Sequence, residues 1–290
     1  MKEEQLIFII SQPRAGSTLL QRILSNNEQV GTTSESWTLF PFISVLNPRI
    51  IKSLYNPKYV NWAFMDYFQN DLNNYSNWLL NCLDNYYAFK SINKYQFIID
   101  KTPRYYEIIF EIKQLFPKSK IILLFRNYLN VLHSIKTTWI DQKGIEFLIN
   151  YYRDILYAPF IMKKFADKFN DDKNIITLQY ESLISDPEYV INNACNKLGL
   201  VFNKSSLDYS NNYKTTGLLG DPIGIEKHSG PVNEKDDKWL KLLTLPYWNK
   251  FVPGYIDYLS PLLDESTSKL GRKTKVFNRY KKLSKNHFFN

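Results

Sequence analysis

Short continuous apolar runs, each followed by a polar turn and an amphipathic stretch, set the pattern of this chain. Leu6-Ile7-Phe8-Ile9-Ile10 is the first run. Five apolar residues without alternation predict a strand covered on both faces, as in a parallel sheet. The polar turn Ser11-Gln12-Pro13-Arg14-Ala15-Gly16-Ser17-Thr18 follows it. Leu19, Leu20, Ile23 and Leu24 then recur at helical spacing, and Asn26-Asn27 closes the run. The chain thus opens strand, tight loop, helix.

The same alternation returns. Phe97-Ile98-Ile99 predicts a strand ending in Asp100-Lys101-Thr102-Pro103, and 105–116 predicts a helix stopped by Pro117. Ile121 to Phe125 predicts a strand ending at Arg126, with Val131 to Ile135 in the next helix. Ile175 to Leu178 predicts another strand. Asp186 as N-cap with Pro187 in the first turn starts a helix that runs to about Leu198. Strands alternating with helices give an α/β class: a P-loop-like doubly wound sheet with central parallel strands and flanking helices. Residues 47–94 break the alternation with aromatics at helical spacing, among them Trp62, Tyr67, Trp78 and Phe89. They predict a helical insertion whose aromatics either pack a core or line an acceptor pocket.

Composition narrows the function. The net charge of +9 is concentrated in Lys269, Arg272, Lys273, Lys275, Arg279, Lys281, Lys282 and Lys285, a stretch without acids. The body is therefore near neutral, which argues against a nucleic-acid-binding core. Residues 269–290 read as a solvated basic tail or as a segment for an anionic partner, and 1–268 as one domain. No apolar stretch reaches membrane-spanning length. The first residues lack a basic region followed by an apolar one, so a cytoplasmic location is expected. The two cysteines, Cys82 and Cys195, form no CxxC pair and read as free thiols in helices. The three histidines have no ligand spacing, so no metal is expected.

The first turn carries the chemistry. A loop entering a helix N-terminus points backbone N–H groups at an anion, aided by the helix dipole. Gly16 allows close approach, Arg14 supplies a fixed cation, and Ser17 and Thr18 supply hydroxyls. A Walker A loop would place Lys after the glycine; here Ser17 stands there. Arg126 at a strand end and Ser134 on the following helix form a second pair able to converge on an anion.

Gln12-Pro13-Arg14-Ala15-Gly16-Ser17-Thr18-Leu19-Leu20 resembles the 5′-phosphosulfate loop of sulfotransferases that use 3′-phosphoadenosine-5′-phosphosulfate (PAPS), in the bacterial and tyrosylprotein-like branches. Ala15 departs from the usual Ser, leaving the donor one hydroxyl fewer. Arg126 and Ser134 have the spacing of the family's 3′-phosphate site. Supporting matches are Asp100-Lys101-Thr102-Pro103, the segment from Tyr180 to Pro187, and Gly220-Asp221-Pro222 with Pro231-Val232-Asn233 and Trp239. The resemblance implies sulfuryl transfer from PAPS to an acceptor hydroxyl or amine, with release of 3′-phosphoadenosine-5′-phosphate (PAP) and no metal. It implies catalytic roles for Arg14, Lys101 and Glu35. Donor binding falls to Arg14, Ala15, Gly16, Ser17, Thr18, Arg126, Ser134, Tyr180 and Lys227. The base of the phenol-type enzymes is a His two residues after the Lys, where this chain has Pro103. Glu35 stands where the tyrosylprotein branch has its base, with His133 and His228 as rivals. The glycines between Gly217 and Trp239 predict a loop that closes over the donor. Small molecule, saccharide, lipid and peptide all remain open as acceptors, and so does the oligomeric state. The rival readings are a P-loop nucleotide kinase and a non-catalytic binding module.

Overall fold

The computed structural model describes residues 1–47, 56–141, 145–208 and 238–263. The basic tail and the loop carrying Lys227, His228 and the glycines after Leu207 lie outside them.

The sheet has five parallel strands: β1 (Leu6–Ser11), β2 (Val30–Thr32), β3 (Phe97–Lys101), β4 (Lys120–Phe125) and β5 (Ile175–Gln179), ordered β2-β3-β1-β4-β5. Every residue of β1 and of β3 is buried. That is why Leu6–Ile10 and Phe97–Ile99 read as unbroken apolar runs, with polar residues only at the strand ends: helices cover both faces. β1 lies between β3 and β4, with Ile9 opposite both Lys101 and Ile122. The strand order reverses at β1, and open α/β sheets bind ligands at the carboxyl ends of strands at such a reversal.

The chain forms two compact units, residues 1–126 with 164–234, and residues 127–163 with 235–290. The first holds the sheet, α1 (Ser17–Ser25), α2 (Leu39–Ile43), α3 (Pro57–Asp66), α4 (Leu72–Ala88), α5 (Ile109–Leu115), α8 (Tyr180–Ser185) and α9 (Pro187–Leu198). One face of the sheet packs Leu20, Ile23 and Leu24 of α1 and Ile191, Cys195 and Leu198 of α9 against Ile7, Ile9, Ile122 and Leu124. Asp186 caps α9 by accepting from Tyr189 N at 3.2 Å, as the Asp-Pro pair predicts. The second unit holds α6 (Tyr128–Ile135), which runs into a wide-turn segment at Lys136–Ile140, and α10 (Trp248–Leu259). Asn130 Oδ1 there accepts from Trp239 N at 3.3 Å, and Tyr255 OH donates to Ile155 O at 3.0 Å. The chain passes between the units in α7 (Ala158–Lys168).

The structure departs from the sequence pattern in three places. β2 has three residues and no apolar run, so only its pairing with β3 defines it. The short α2 likewise had no sequence signal. The helix expected over 105–116 begins as a 3-10 turn, Pro103–Ile108, and becomes α-helical only at Ile109. Tyr105, Tyr106, Ile108 and Ile109 are all buried. One α-helical stripe does not bury adjacent residues in that way.

The insertion is helical, as α3 and α4 over its described part. Its aromatics are partly buried in packing and partly exposed. Tyr75 and Tyr87 are buried, and Phe64, Phe68, Tyr75 and Trp78 form a ring cluster with centroids 5.2–5.9 Å apart. Tyr67 and Phe89 are each 89% exposed.

Candidate active site

The turn between β1 and α1 takes its shape from two residues in left-handed backbone conformations, Arg14 (φ 70°) and Gly16 (φ 98°). Ala15 N donates to Gln12 O at 3.2 Å and closes the turn. Gly16 is the N-cap of α1. A side chain there would meet a strained φ. It would also collide with the Tyr180 ring, whose Cδ2 occupies the space of a Cβ. The Ala15 methyl is buried, so the hydroxyl missing from this loop would have pointed into the protein.

Tyr180 starts α8 at the end of β5, two strands from β1. Its ring carries the Arg126 guanidinium at 4.2 Å, and Arg126 Nη1 donates to Arg14 O at 3.2 Å. Arg126, Tyr180, Arg14 and Gly16 are thus one contiguous group at the carboxyl ends of β1, β4 and β5. Ser134 lies on α6 in the second unit, so its partnership with Arg126 stays what the motif implies. Lys227 and His228 are outside the described residues.

Lys101 ends β3 and is 1% exposed. A buried ammonium needs partners, because desolvation of a charge is costly. Nζ lies 3.0 Å from Glu35 Oε1 and 3.4 Å from Thr18 Oγ1. The two candidate catalytic residues from distant sequence positions therefore meet beside the start of α1. Glu35, 19% exposed, is the more open partner. Its loop is tied to α1 by Gln21, whose Nε2 donates to Thr32 Oγ1 at 2.7 Å and Thr33 O at 2.6 Å. Gln21 is a polar residue buried among the apolar positions of α1, a signal the sequence pattern contained.

Asp100 points the other way, as consecutive strand residues must. Its carboxylate accepts from Ser36 Oγ (2.8 and 2.9 Å), Tyr87 OH (3.0 Å), Tyr105 OH (3.3 Å) and Thr102 Oγ1 (3.5 Å). Burial pushes its pKa above the ordinary Asp value, and these hydroxyls oppose the rise. Tyr87 and Tyr105 are raised well above the usual phenol value, by burial first and then by the Asp100 charge. A carboxylate so enclosed faces the core, away from the turn after β1. His133 lies on α6 in the second unit. Burial lowers its pKa, with Lys136, Lys241 and Lys238 adding to the effect, so its imidazole is neutral at neutral pH.

The sulfotransferase family model matches residues 6–204, more than two thirds of the chain. The chain belongs to the sulfotransferase family. The matched span contains every described site residue named above. Among solved structures, the fold is similar to the sulfotransferase domain from the curacin biosynthetic pathway, with a TM-score of 0.60 and 22% identity over 88% of this chain and 96% of that one. It is also similar to the sulfotransferase domain of the Synechococcus PCC 7002 olefin synthase, with a TM-score of 0.53 and 19% identity over 89% and 94%. An uncharacterised protein of Aquifex aeolicus strain VF5 is 24% identical over 273 residues, 89% of this chain. The chain spans about a third of that relative's length, 32%. Among the described residues, no group of His, Cys, Asp and Glu could hold a metal, and no helix is long and apolar enough to cross a membrane. Cys195 is buried and Cys82 partly so, both free, with burial raising each thiol's pKa, Cys195's to about 11.

Proposed function

We propose that this chain transfers a sulfuryl group from PAPS to an acceptor hydroxyl or amine and releases PAP. The observation that carries this reading is the Lys101–Glu35 pair, 3.0 Å long, beside the helix N-terminus that follows the Arg14–Gly16 turn. An anion-binding turn, a buried cation and a carboxylate are the three parts that sulfuryl transfer needs. In the step, the acceptor oxygen forms a bond to sulfur while the bond from sulfur to the bridging oxygen breaks. The electron pair leaves on the 5′-phosphate of PAP, and the acceptor proton goes to a base.

The residues fit these roles. The turn's backbone N–H groups, Ser17 and Thr18 would hold the 5′-phosphosulfate, with Arg14 on the leaving oxygen. Lys101, adjacent to Thr18, would neutralise charge on the transferring oxygens; fixed cations at such places act most strongly where water is excluded. Arg126, already bound to the turn, would hold the 3′-phosphate. Glu35 would take the proton. In the free protein it balances Lys101, and a donor anion beside Thr18 supplies that charge instead, releasing Glu35 for the acceptor. Small molecules, saccharides, lipids and peptides remain the acceptor classes to test.

The test is calorimetry with PAP, followed by PAPS turnover against an acceptor panel with mass-spectrometric detection of sulfated product. PAP binding and a sulfated product are expected without added metal. A protein that binds no PAP overturns the reading, and ATP turnover that requires Mg²⁺ would instead support a kinase.

A further inference from the structure

The loop carrying Glu35 is fastened to β3 on both faces. Glu35 meets Lys101 on one face, and the next residue, Ser36, meets Asp100 on the other. Two consecutive loop residues therefore straddle two consecutive strand residues, whose side chains diverge by the strand's period of two. The Asp100 side of this clasp is the more heavily bonded. Ser36 Oγ reaches both carboxylate oxygens and lies 3.1 Å from Tyr105 OH. Tyr105 OH accepts from Leu39 N at 3.1 Å, and Thr102 Oγ1 accepts from Trp37 N at 3.3 Å. Loop residues Ser36 and Trp37 and the first residue of α2, Leu39, are thus all held by the end of β3 and the turn after it. Glu35, by contrast, is held by the Lys101 ammonium, which the proposed donor would draw away.

We infer that Asp100 is a positioning residue: through Ser36 it fixes where the Glu35 carboxylate stands over Lys101, and keeps it there when Lys101 turns to the donor. This rests on the sulfuryl-transfer reading for its catalytic meaning, but the clasp itself is a geometric claim. Asp100 touches no reacting atom. Its burial and its four hydroxyl partners make it a rigid post, and among the described residues Ser36 is the link in which the loop's own side chain grips that post. Without the Ser36 bonds the segment would still be tied at Thr32, Thr33, Trp37 and Leu39, but the residue next to Glu35 would have lost its anchor, and the carboxylate could shift when its pair with Lys101 opened. Misplacing a catalytic group by about 1 Å costs on the order of 10²-fold in rate.

The test uses Ser36→Ala, which cuts the clasp and leaves Asp100 bonded to Tyr87, Tyr105 and Thr102. Tyr87→Phe is the control, because it removes a bond to Asp100 from the α4 side and spares the loop. Turnover is read as PAP released from PAPS, and PAP affinity by calorimetry. Crystal structures of both variants report the Lys101–Glu35 separation. Ser36→Ala should lower kcat by about 10- to 100-fold while PAP affinity stays within about twofold. It should open the pair beyond about 4 Å, the limit of an ion pair. Ser36→Thr should restore most of the rate, and Tyr87→Phe should keep kcat even if its melting temperature falls as far as that of Ser36→Ala. The inference is overturned if Ser36→Ala keeps the pair near its 3.0 Å separation and keeps wild-type kcat. It is equally overturned if Tyr87→Phe loses kcat to the same extent, for the effect is then general loosening. A wild-type protein that binds no PAP contradicts the proposed function instead, and the crystal arm still decides the clasp.

Discussion

The ends of β1 and β3 and the α3–α4 insertion belong to the same compact unit, yet they treat polar and apolar groups in opposite ways. At the strand ends an ammonium and a carboxylate, Lys101 and Asp100, are buried almost completely. In the insertion large rings, Tyr67 and Phe89, are left almost fully exposed. Burying ions is costly unless each has partners, so a fold keeps them only where position matters. Exposed rings cost little in stability, and their sequence is free to vary with what they meet. The contrast agrees with the proposal that the chemistry sits at the strand ends, and it makes the insertion the place to test for acceptor recognition.

Substitutions can break that contrast. The largest effect is expected at Lys101. Lys101→Met keeps the chain length of the side chain and removes its charge, and loss of such a fixed donor should cut PAPS turnover by about 10²–10³-fold. Steady-state kinetics with saturating PAPS would show it, and near-normal turnover would put the neutralising cation elsewhere. Next is Arg126→Ala, which loses a charge-assisted phosphate contact worth about 1.5–3 kcal/mol, so PAP should bind roughly 10- to 100-fold more weakly. Because Arg126 also bonds Arg14 O and stacks on Tyr180, the variant should loosen the turn proposed to hold the 5′-phosphosulfate as well. Unchanged PAP affinity in calorimetry contradicts the assignment.

A smaller effect belongs to His133. Its folded pKa lies below the ordinary value of 6.5. The unfolded chain therefore binds the proton more readily, and His133 removes stability as pH falls from about 6.5 towards the lowered folded value. In urea unfolding, wild type should lose more stability between neutral and mildly acidic pH than His133→Gln does; parallel losses would refute this. The smallest effect is expected in the insertion. Trp62, 61% exposed, should tolerate Ala within about 0.5 kcal/mol of stability and with unchanged PAP binding, as exposed positions usually do. A change confined to acceptor KM would sharpen the contrast, and a loss of PAP affinity would break it.

The sequence showed the parts of this molecule that repeat a physical rule. Buried parallel strands had to be unbroken apolar runs, and the turn after β1 had to carry glycine and anion-binding donors. That Glu35 and Lys101 belong to one site was expected only through family resemblance, and their ion pair was not expected at all, because nothing local in either segment points to the other. The Asp100 cluster was missed for a similar reason. Ser36, Tyr87, Thr102 and Tyr105 are ordinary residues until the fold brings their hydroxyls onto one carboxylate. The insertion's aromatics gave helical spacing correctly, but spacing alone does not separate Tyr75, which is buried, from Tyr67, which is not.

The most direct test of the central claim is the Glu35→Gln variant, assayed for PAPS turnover and PAP affinity in parallel. Gln keeps the shape of the side chain and removes its charge. Loss of a general base costs about 10²–10⁴-fold in rate, so turnover should fall by that factor while PAP affinity is nearly unchanged. Near-normal turnover would contradict the account, and so would loss of PAP binding, which would make Glu35 a structural counter-ion of Lys101 and nothing more.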